Sequence, residues 1–325
     1  MYPFTFATAA DESAALTAGA EGARYIAGGT TLIDLMRQTV ERPERIVDIN
    51  GLPYRDIDLN STRLRVGSLV RMSELADHAG VRTQFPVVAE ALELSASGQL
   101  RNMASIGGNL MQRPRCLYFR DVSASCNRRD PGSGCAAVEG RNRAMAIFGT
   151  SDQCVATHPS DLAVALTALD AVVITATRDG QQRIDIADFF RQPGDTPDRE
   201  HNLAPGQLIT AIEIPAAADT RRSGYLKVRD RASYEFALCS AAVTMDISGG
   251  LVRSARVAVG GVGTVPWRLR VVEDRLRAQQ ANPELWQAAA ELAAQGAQPL
   301  SENGFKVELI QRTVRRQLTT VAGLS

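Results

Sequence analysis

Apolar and polar positions alternate along the chain at helical and then strand spacing. The pattern predicts a helix over 11–18, a strand over 24–27, a helix over 31–39 and a strand over 45–49, together a short α/β unit. Residues 57–68 read as a hairpin turning at Asn60 and Ser61, followed by helices over 73–79 and 85–95. From 102 to 156 periodicity fails. Arg, Gly, Pro and Cys dominate there, and so long a loop is uncommon unless something pins it. Regular spacing returns with a helix over 159–169, strands over 171–177 and 183–186, a polar loop over 191–205 and a strand over 208–214. Beyond a linker at 215–222, strands (223–228, 240–247, 251–259) precede helices (268–278, 283–294, 303–318), which suggests an α+β domain. No internal repeat is visible.

A chain of 325 residues suits two or three packed subdomains rather than one small core. Acidic and basic residues balance at 36 each, so charge makes no case for nucleic acid or an anionic membrane as the main partner. No run approaches the roughly 20 apolar residues of a membrane-spanning helix, and Met1-Tyr-Pro-Phe-Thr-Phe lacks the basic-then-apolar start of an export signal. Folding in the cytoplasm is the expectation.

Two glycine pairs carry candidate chemistry. Tyr25-Ile26-Ala27-Gly28-Gly29-Thr30-Thr31-Leu32 sets two glycines and two hydroxyls between an apolar strand and a helix. Glycine lets successive N–H groups converge into a nest, and a helix start adds partial positive charge, which suits a pyrophosphate. A tight turn with a threonine N-cap satisfies the same residues. Ala104-Ser105-Ile106-Gly107-Gly108-Asn109-Leu110 repeats the ingredients, and two such loops strengthen a dinucleotide reading. Neither loop is Gly-x-Gly-x-x-Gly or a P-loop. Gly260-Gly261-Val262-Gly263 comes nearest but meets Pro266 at the sixth position and reads as a strand end.

Four of the five cysteines, Cys116, Cys126, Cys135 and Cys154, fall within 39 residues of the aperiodic stretch. An odd total with four clustered argues against a disulfide framework and for thiolate ligands. The spacing Cys-x9-Cys-x8-Cys-x18-Cys leaves zinc and iron–sulfur equally open, with four unliganded thiols as a third reading, and nearby arginines would offset the net negative charge of either metal site. Cys239, in Phe236-Ala-Leu-Cys-Ser-Ala-Ala-Val, reads as a small buried hydrophobe. With three histidines and no His-Glu-x-x-His or Gly-x-Ser-x-Gly, hydrolase chemistry finds no support. His158-Pro-Ser-Asp161 opens a helix that Ser160 or Asp161 can cap; an aspartate accepting from a ribityl or ribose hydroxyl is the alternative. Lys227, followed by Arg229-Asp230-Arg231, reads as part of a solvated strand edge, or else as a cation beside a flavin.

These motifs together resemble the FAD-binding medium subunit of the xanthine dehydrogenase family of molybdenum hydroxylases. The likeness rests on Ala27-Gly-Gly-Thr-Thr-Leu32, Ser105-Ile-Gly-Gly-Asn109, His158-Pro-Ser-Asp161, Leu208-Ile209 and Lys227-Val-Arg-Asp-Arg-Ala-Ser-Tyr234. Within the family, Ser97-Gly-Gln-Leu-Arg-Asn102, Cys126-Asn-Arg-Arg, Pro131-Gly-Ser-Gly-Cys-Ala-Ala137 and Ala156-Thr-His-Pro-Ser-Asp161 are most similar to the bacterial periplasmic aldehyde oxidoreductases. Gly107 departs from the alanine of that subgroup, a change that costs glycine nothing in backbone conformation.

The resemblance implies an α+β chain with a two-subdomain FAD-binding domain of the PCMH, vanillyl-alcohol-oxidase-like type over 1–218. Its subdomains would span about 1–52 and 53–218, with an iron–sulfur insertion at about 113–155, followed by a CO-dehydrogenase-flavoprotein-type α+β domain over 219–325. It implies FAD held by Arg24, Tyr25, Ile26, Ala27, Gly28, Gly29, Thr30, Thr31 and Leu32, by Ser105, Gly107, Gly108 and Asn109, and by Asp161, Leu208 and Lys227. A [4Fe-4S] cluster would sit on Cys116, Cys126, Cys135 and Cys154. The implied enzyme is a heterotrimer in which a large molybdenum-cofactor subunit oxidises an aldehyde and a small [2Fe-2S] subunit relays electrons. This chain's FAD then passes them to an external acceptor, with no catalytic residue of its own. Co-export to the periplasm with a signal-bearing partner belongs to the same picture. Rival readings are a flavoprotein subunit acting on N-heterocycles or aromatic thioesters, and a zinc-stapled scaffold without flavin.

Overall fold

The computed structural model describes residues 1–323. Its first sheet is small and parallel, with β1 (Thr5–Thr8), β2 (Arg24–Ile26) and β3 (Arg45–Asp48) in the order β1-β3-β2. The helix Glu12–Ala20 begins where the Asp11 carboxylate accepts the Ala14 N–H at 2.8 Å, and Ala15 and Leu16 pack with Val47 and Ile49 beneath it. β1 was not among the expected strands. All four of its residues are exposed, so it carries no alternation to read.

The second sheet is antiparallel in the order β4-β5-β8-β6-β7, from β4 (Ile57–Leu59), β5 (Arg63–Gly67), β6 (Val172–Thr177), β7 (Gly180–Asp185) and β8 (Leu208–Pro215). The first hairpin turns where expected, because Asn60 Oδ1 accepts the N–H groups of Thr62 and Arg63 at 3.0 and 3.1 Å. The helices Pro86–Glu93 and Asp161–Ala168 bury Val87, Val88, Leu92, Leu162 and Leu166 between this sheet and the next one along the chain. The helix Ala79–Gln84, with only Val81 buried, escaped the periodicity.

The third sheet is β9 (Ser223–Val228), β10 (Cys239–Ser248), β11 (Leu251–Gly260) and β12 (Trp267–Arg268), antiparallel in the order β12-β11-β10-β9. Gly249 and Gly250, both at positive φ (60° and 76°), make the two-residue turn joining its long strands. Helices Arg270–Leu276, Pro283–Glu291 and Phe305–Ala322 cover one face, where Trp286, Ile310, Val314 and Leu318 are buried. The expected helix from 268 starts at Arg270 because Trp267 and Arg268 pair with Val259 and Ala258 as β12.

The aperiodic stretch is mostly turns, with two short helices, Ile106–Leu110 and Leu117–Arg120, and isolated bridges at Cys126–Cys135 and Ser151–Cys154. It behaves as a strap fastened at both ends. Near its start Arg113 binds Glu41 at 2.6 Å, and Arg115 (3.0 Å) and Arg120 both bind Asp34. At its far end Lys306, fully buried, donates to the carbonyls of Ala144, Met145 and Gly261 at 3.1, 2.8 and 2.7 Å. Asn142 and Glu302 exchange backbone-to-side-chain hydrogen bonds, each of 2.9 Å.

Candidate cofactor cleft and thiol cluster

The two glycine loops face each other across a cleft of about 880 Å³. Every residue from Arg24 to Leu32 lines it, as do Ser105, Gly107, Gly108 and Leu208. Close backbone approach dictates the glycines. A Cβ on Gly28 would lie 2.7 Å from the Met103 carbonyl carbon and closer still to its oxygen; Gly29 takes a φ of 71°. A Cβ on Gly107 would stand 2.9 Å from Ser68 Cβ, so the subgroup's alanine does not fit here unless Ser68 gives way. A clamp unseen in the sequence joins the loops. Arg71 donates to Met103 O (2.6 Å) and Asn50 Oδ1 (3.0 Å), and Asn50 donates to Ala27 O (2.9 Å).

Several of the cleft's polar groups are unsatisfied within the described residues, while the second loop's Gly107 and Gly108 amides are already bonded to Ser68 O and Ser105 Oγ. Among the described residues no acceptor takes the amide hydrogens of Gly28, Gly29, Thr30 or Thr31, and Thr31 makes no side-chain cap. Ser68 Oγ, Arg128 Nε and His201 Nδ1 are buried without partners, and all three residues line this cleft. Buried polar groups are rarely left so. Free amides on the first loop and orphaned polar groups in the cleft fit a dinucleotide with its pyrophosphate. Tyr25 serves from behind: its hydroxyl donates to Gly206 O at 2.7 Å, and burial pushes it up to about 12.

One wall is ionic. Arg113 binds Glu41 (2.6 Å) and Glu200 (2.7 Å), and Arg128 binds Glu200 at 3.3 Å. Burial by itself would raise the Glu200 carboxyl, but Arg113 and Arg128 outweigh it and hold it below the carboxylate range. His158 is pushed down to about 3, chiefly by burial and further by Arg128, against the pull of Glu200. It is therefore neutral, with Nδ1 accepting the Ser160 N–H at 3.3 Å and its ring edge-on to Phe190. Glu41, Glu200 and His201 carried no motif that would have singled them out.

Three anticipated cofactor residues lie outside the lining. Asn109 turns inward: its Oδ1 accepts the Ser160 hydroxyl at 2.6 Å, and Ser160, not Asp161, caps the helix Asp161–Ala168 through Ala163 N–H (3.0 Å). Asp161 accepts from Lys227 (2.8 Å), Tyr225 (2.8 Å) and Ser95 (3.0 Å), and Lys227 also donates to Leu94 O (3.1 Å). The Lys227 side chain is 1 % exposed, which corrects the solvated-edge reading: the helix Pro86–Glu93 covers β9, with Glu90 accepting the Tyr225 N–H at 2.6 Å. Asp161 and Lys227 neutralise each other instead of presenting charge to the cleft.

The four clustered cysteines come together as free thiols. Cys116, Cys126 and Cys154 are buried with Phe119, Met145 and Val155, and Cys135 packs against them. Hydrogen-bond donors face the sulfurs: the amides of Tyr118 and Phe119 at Cys116, those of Ala137 and Val155 at Cys135, and Arg128 Nη2 at Cys154 (3.5 Å). Burial nonetheless pushes the Cys116 thiol up to about 11, with the other thiols adding to it. Four converging thiols with N–H donors fit a group bound through thiolate. Among the described residues no three His, Cys, Asp or Glu side chains form a site for one metal ion. Cys239 is fully buried in the third sheet, as expected.

A sequence model of the FAD binding domain in molybdopterin dehydrogenase matches residues 2–217, and one of the CO dehydrogenase flavoprotein C-terminal domain matches 224–321. The chain belongs to the FAD-binding medium subunits of the molybdenum hydroxylase family, oxidoreductase subunits whose substrate chemistry rests on a partner. It is 48 % identical over 295 residues to the aldehyde oxidoreductase FAD-binding subunit PaoB of Escherichia coli (strain K12), covering 90 % of this chain and 89 % of the relative. It is 27 % identical to the glyceraldehyde dehydrogenase medium chain of Sulfolobus acidocaldarius, over 93 % and 92 % of the two chains. Its fold is that of a chain of quinoline 2-oxidoreductase from Pseudomonas putida 86, with a TM-score of 0.77 at 21 % identity over 99 % and 98 % of the chains. No described helix is long and apolar enough to cross a membrane.

Proposed function

We propose that this chain is the FAD- and [4Fe-4S]-carrying subunit of a heterotrimeric molybdenum aldehyde oxidoreductase. A large molybdenum-cofactor subunit and a small [2Fe-2S] subunit are its partners, and an external acceptor takes the electrons. The observation that carries the reading is the union of a glycine-lined cleft, with free amides and orphaned donors, and a nest of four thiols on the strap forming its wall. Likeness to an aldehyde oxidoreductase subunit along nine-tenths of the chain supports the substrate class. In this reading 1–218 and 219–325 are the two domains, and the complex is exported with a signal-bearing partner.

Bound FAD supplies the redox carrier; the chain's part is to hold and orient it. Gly28 to Thr31 offer backbone N–H groups to the pyrophosphate, Gly107 and Gly108 let the second loop approach, and Leu208 packs at the far wall. Asp161 and Lys227 act from behind, fixing the helix start from which Ser160 holds Asn109. Cys116, Cys126, Cys135 and Cys154 hold the iron–sulfur group.

The test is an absorbance spectrum of the purified complex, before and after dithionite, with iron, sulfide and zinc assays. Flavin bands and about four irons assignable to this chain, beyond the partner's two-iron clusters, are expected. A flavin-free chain holding one zinc would replace this reading with the scaffold.

A further inference from the structure

Arg128 belongs to both sites. Its side chain is 5 % exposed, Nη2 lies 3.5 Å from Cys154 Sγ, Nη1 lies 3.3 Å from Glu200, and Nε is buried without an acceptor. A guanidinium is a planar fork, so two committed ends fix the direction of the third donor. The base of the side chain is fixed as well. The neighbouring Asn127 accepts the N–H groups of Gly132 and Gly134 (3.1 and 2.8 Å) and donates to Gln153 (2.8 Å), while Arg113 reaches the Arg128 carbonyl at 3.4 Å. Glu200 is in turn held by Arg113. The one unfixed element is what Nε–H donates to, and Arg128 lines the dinucleotide cleft.

We propose that Arg128 is a positioning residue shared by the two cofactor sites. It places a fixed cation against the sulfur of Cys154 and offers Nε–H to an oxygen or ring nitrogen of the dinucleotide. The thiol-bearing strap is thereby a working part of the nucleotide site as well as an insertion beside it. Two consequences follow from one side chain. The cation favours the more negative, reduced form of the thiolate-bound group and so raises its potential, and the donor strengthens FAD binding.

The inference rests on the FAD and iron–sulfur reading above. If the wild-type complex lacks flavin or iron, that reading fails; if it carries both and the variants behave as wild type, only the Arg128 inference fails. The experiment compares Arg128→Met and Arg128→Lys in the assembled complex. It measures the FAD dissociation constant by flavin fluorescence after deflavination and re-addition, and the cluster midpoint potential by EPR-monitored titration. For Arg128→Met the expected outcome is FAD affinity weakened about tenfold or more and a lower cluster potential, at unchanged iron content. For Arg128→Lys, which keeps charge without the fork, the potential should return toward wild type while FAD affinity stays weakened. FAD affinity within twofold of wild type, or an unmoved potential, overturns the proposal of a shared residue. If Arg128→Met does not assemble, Arg128→Lys decides: FAD affinity weakened with the potential retained supports it, and wild-type FAD affinity overturns it.

Discussion

Replacing Gly28 with alanine should separate the two loops that form the cleft. The added methyl would lie 2.7 Å from the Met103 carbonyl carbon and 3.1 Å from Ala104 Cα, about 1 Å inside the roughly 3.5–4.0 Å of an ordinary carbon contact. Both neighbours are backbone, so no side chain can swing away; one loop must move by about that distance. Overpacking of this kind costs about 1–3 kcal/mol. Moving Met103 also strips its carbonyl of the 2.6 Å bond from Arg71, whose charge-assisted loss is about 1.5–3 kcal/mol. If roughly 3 kcal/mol of this falls on the loaded state, FAD affinity drops about a hundredfold. The assay is FAD content and dissociation constant of the purified complex, alongside urea unfolding. Gly98→Ala serves as the control, because its Cβ meets nothing within 4 Å. A Gly28→Ala protein that binds FAD within threefold of wild type would refute the close-approach argument.

Two further outcomes are expected. His158 titrates at about 3 when folded against 6.5 when free, so between those values the unfolded chain binds the extra proton and stability falls as pH falls. That stability is fully present above about pH 6.5, and His158→Asn should flatten the urea-midpoint profile through the window by up to one proton's slope; an unchanged profile would exclude His158 as its source. Lys306→Met leaves the buried Gly261 carbonyl without a donor and removes one from Ala144 O and Met145 O, so a loss of about 1–3 kcal/mol is expected in urea unfolding, with faster proteolysis between 140 and 150. Unaltered cleavage there would mean that Lys306 does not secure the strap.

What the sequence disclosed depended on the range of the interaction. The two long strands β10 and β11 could be read because each carries a run of buried apolar residues, and the helix Phe305–Ala322 because buried positions recur at helical spacing. The glycine loops and the four cysteines could be read because their chemistry is local or unusual in composition. The Asp161–Lys227 pair could not, since 66 residues separate its members and a charged run suggests solvent until a covering helix is seen. Arg71, Asn50 and Glu200 were equally silent. Each is an ordinary polar residue whose role arises from what the fold brings against it, namely Met103 O, Ala27 O and the guanidinium of Arg113.

The strap's far fastening has a consequence in time. Glu302 is made 148 residues after Cys154 (302 minus 154). At about 5–20 residues per second, the ribosome needs roughly 7–30 s to reach it, and through that interval the strap has partners for its near end alone, Glu41 and Asp34. A chain cut short before Glu302 would thus hold all five cysteines and lack both the Glu302 and the Lys306 contacts of the far fastening.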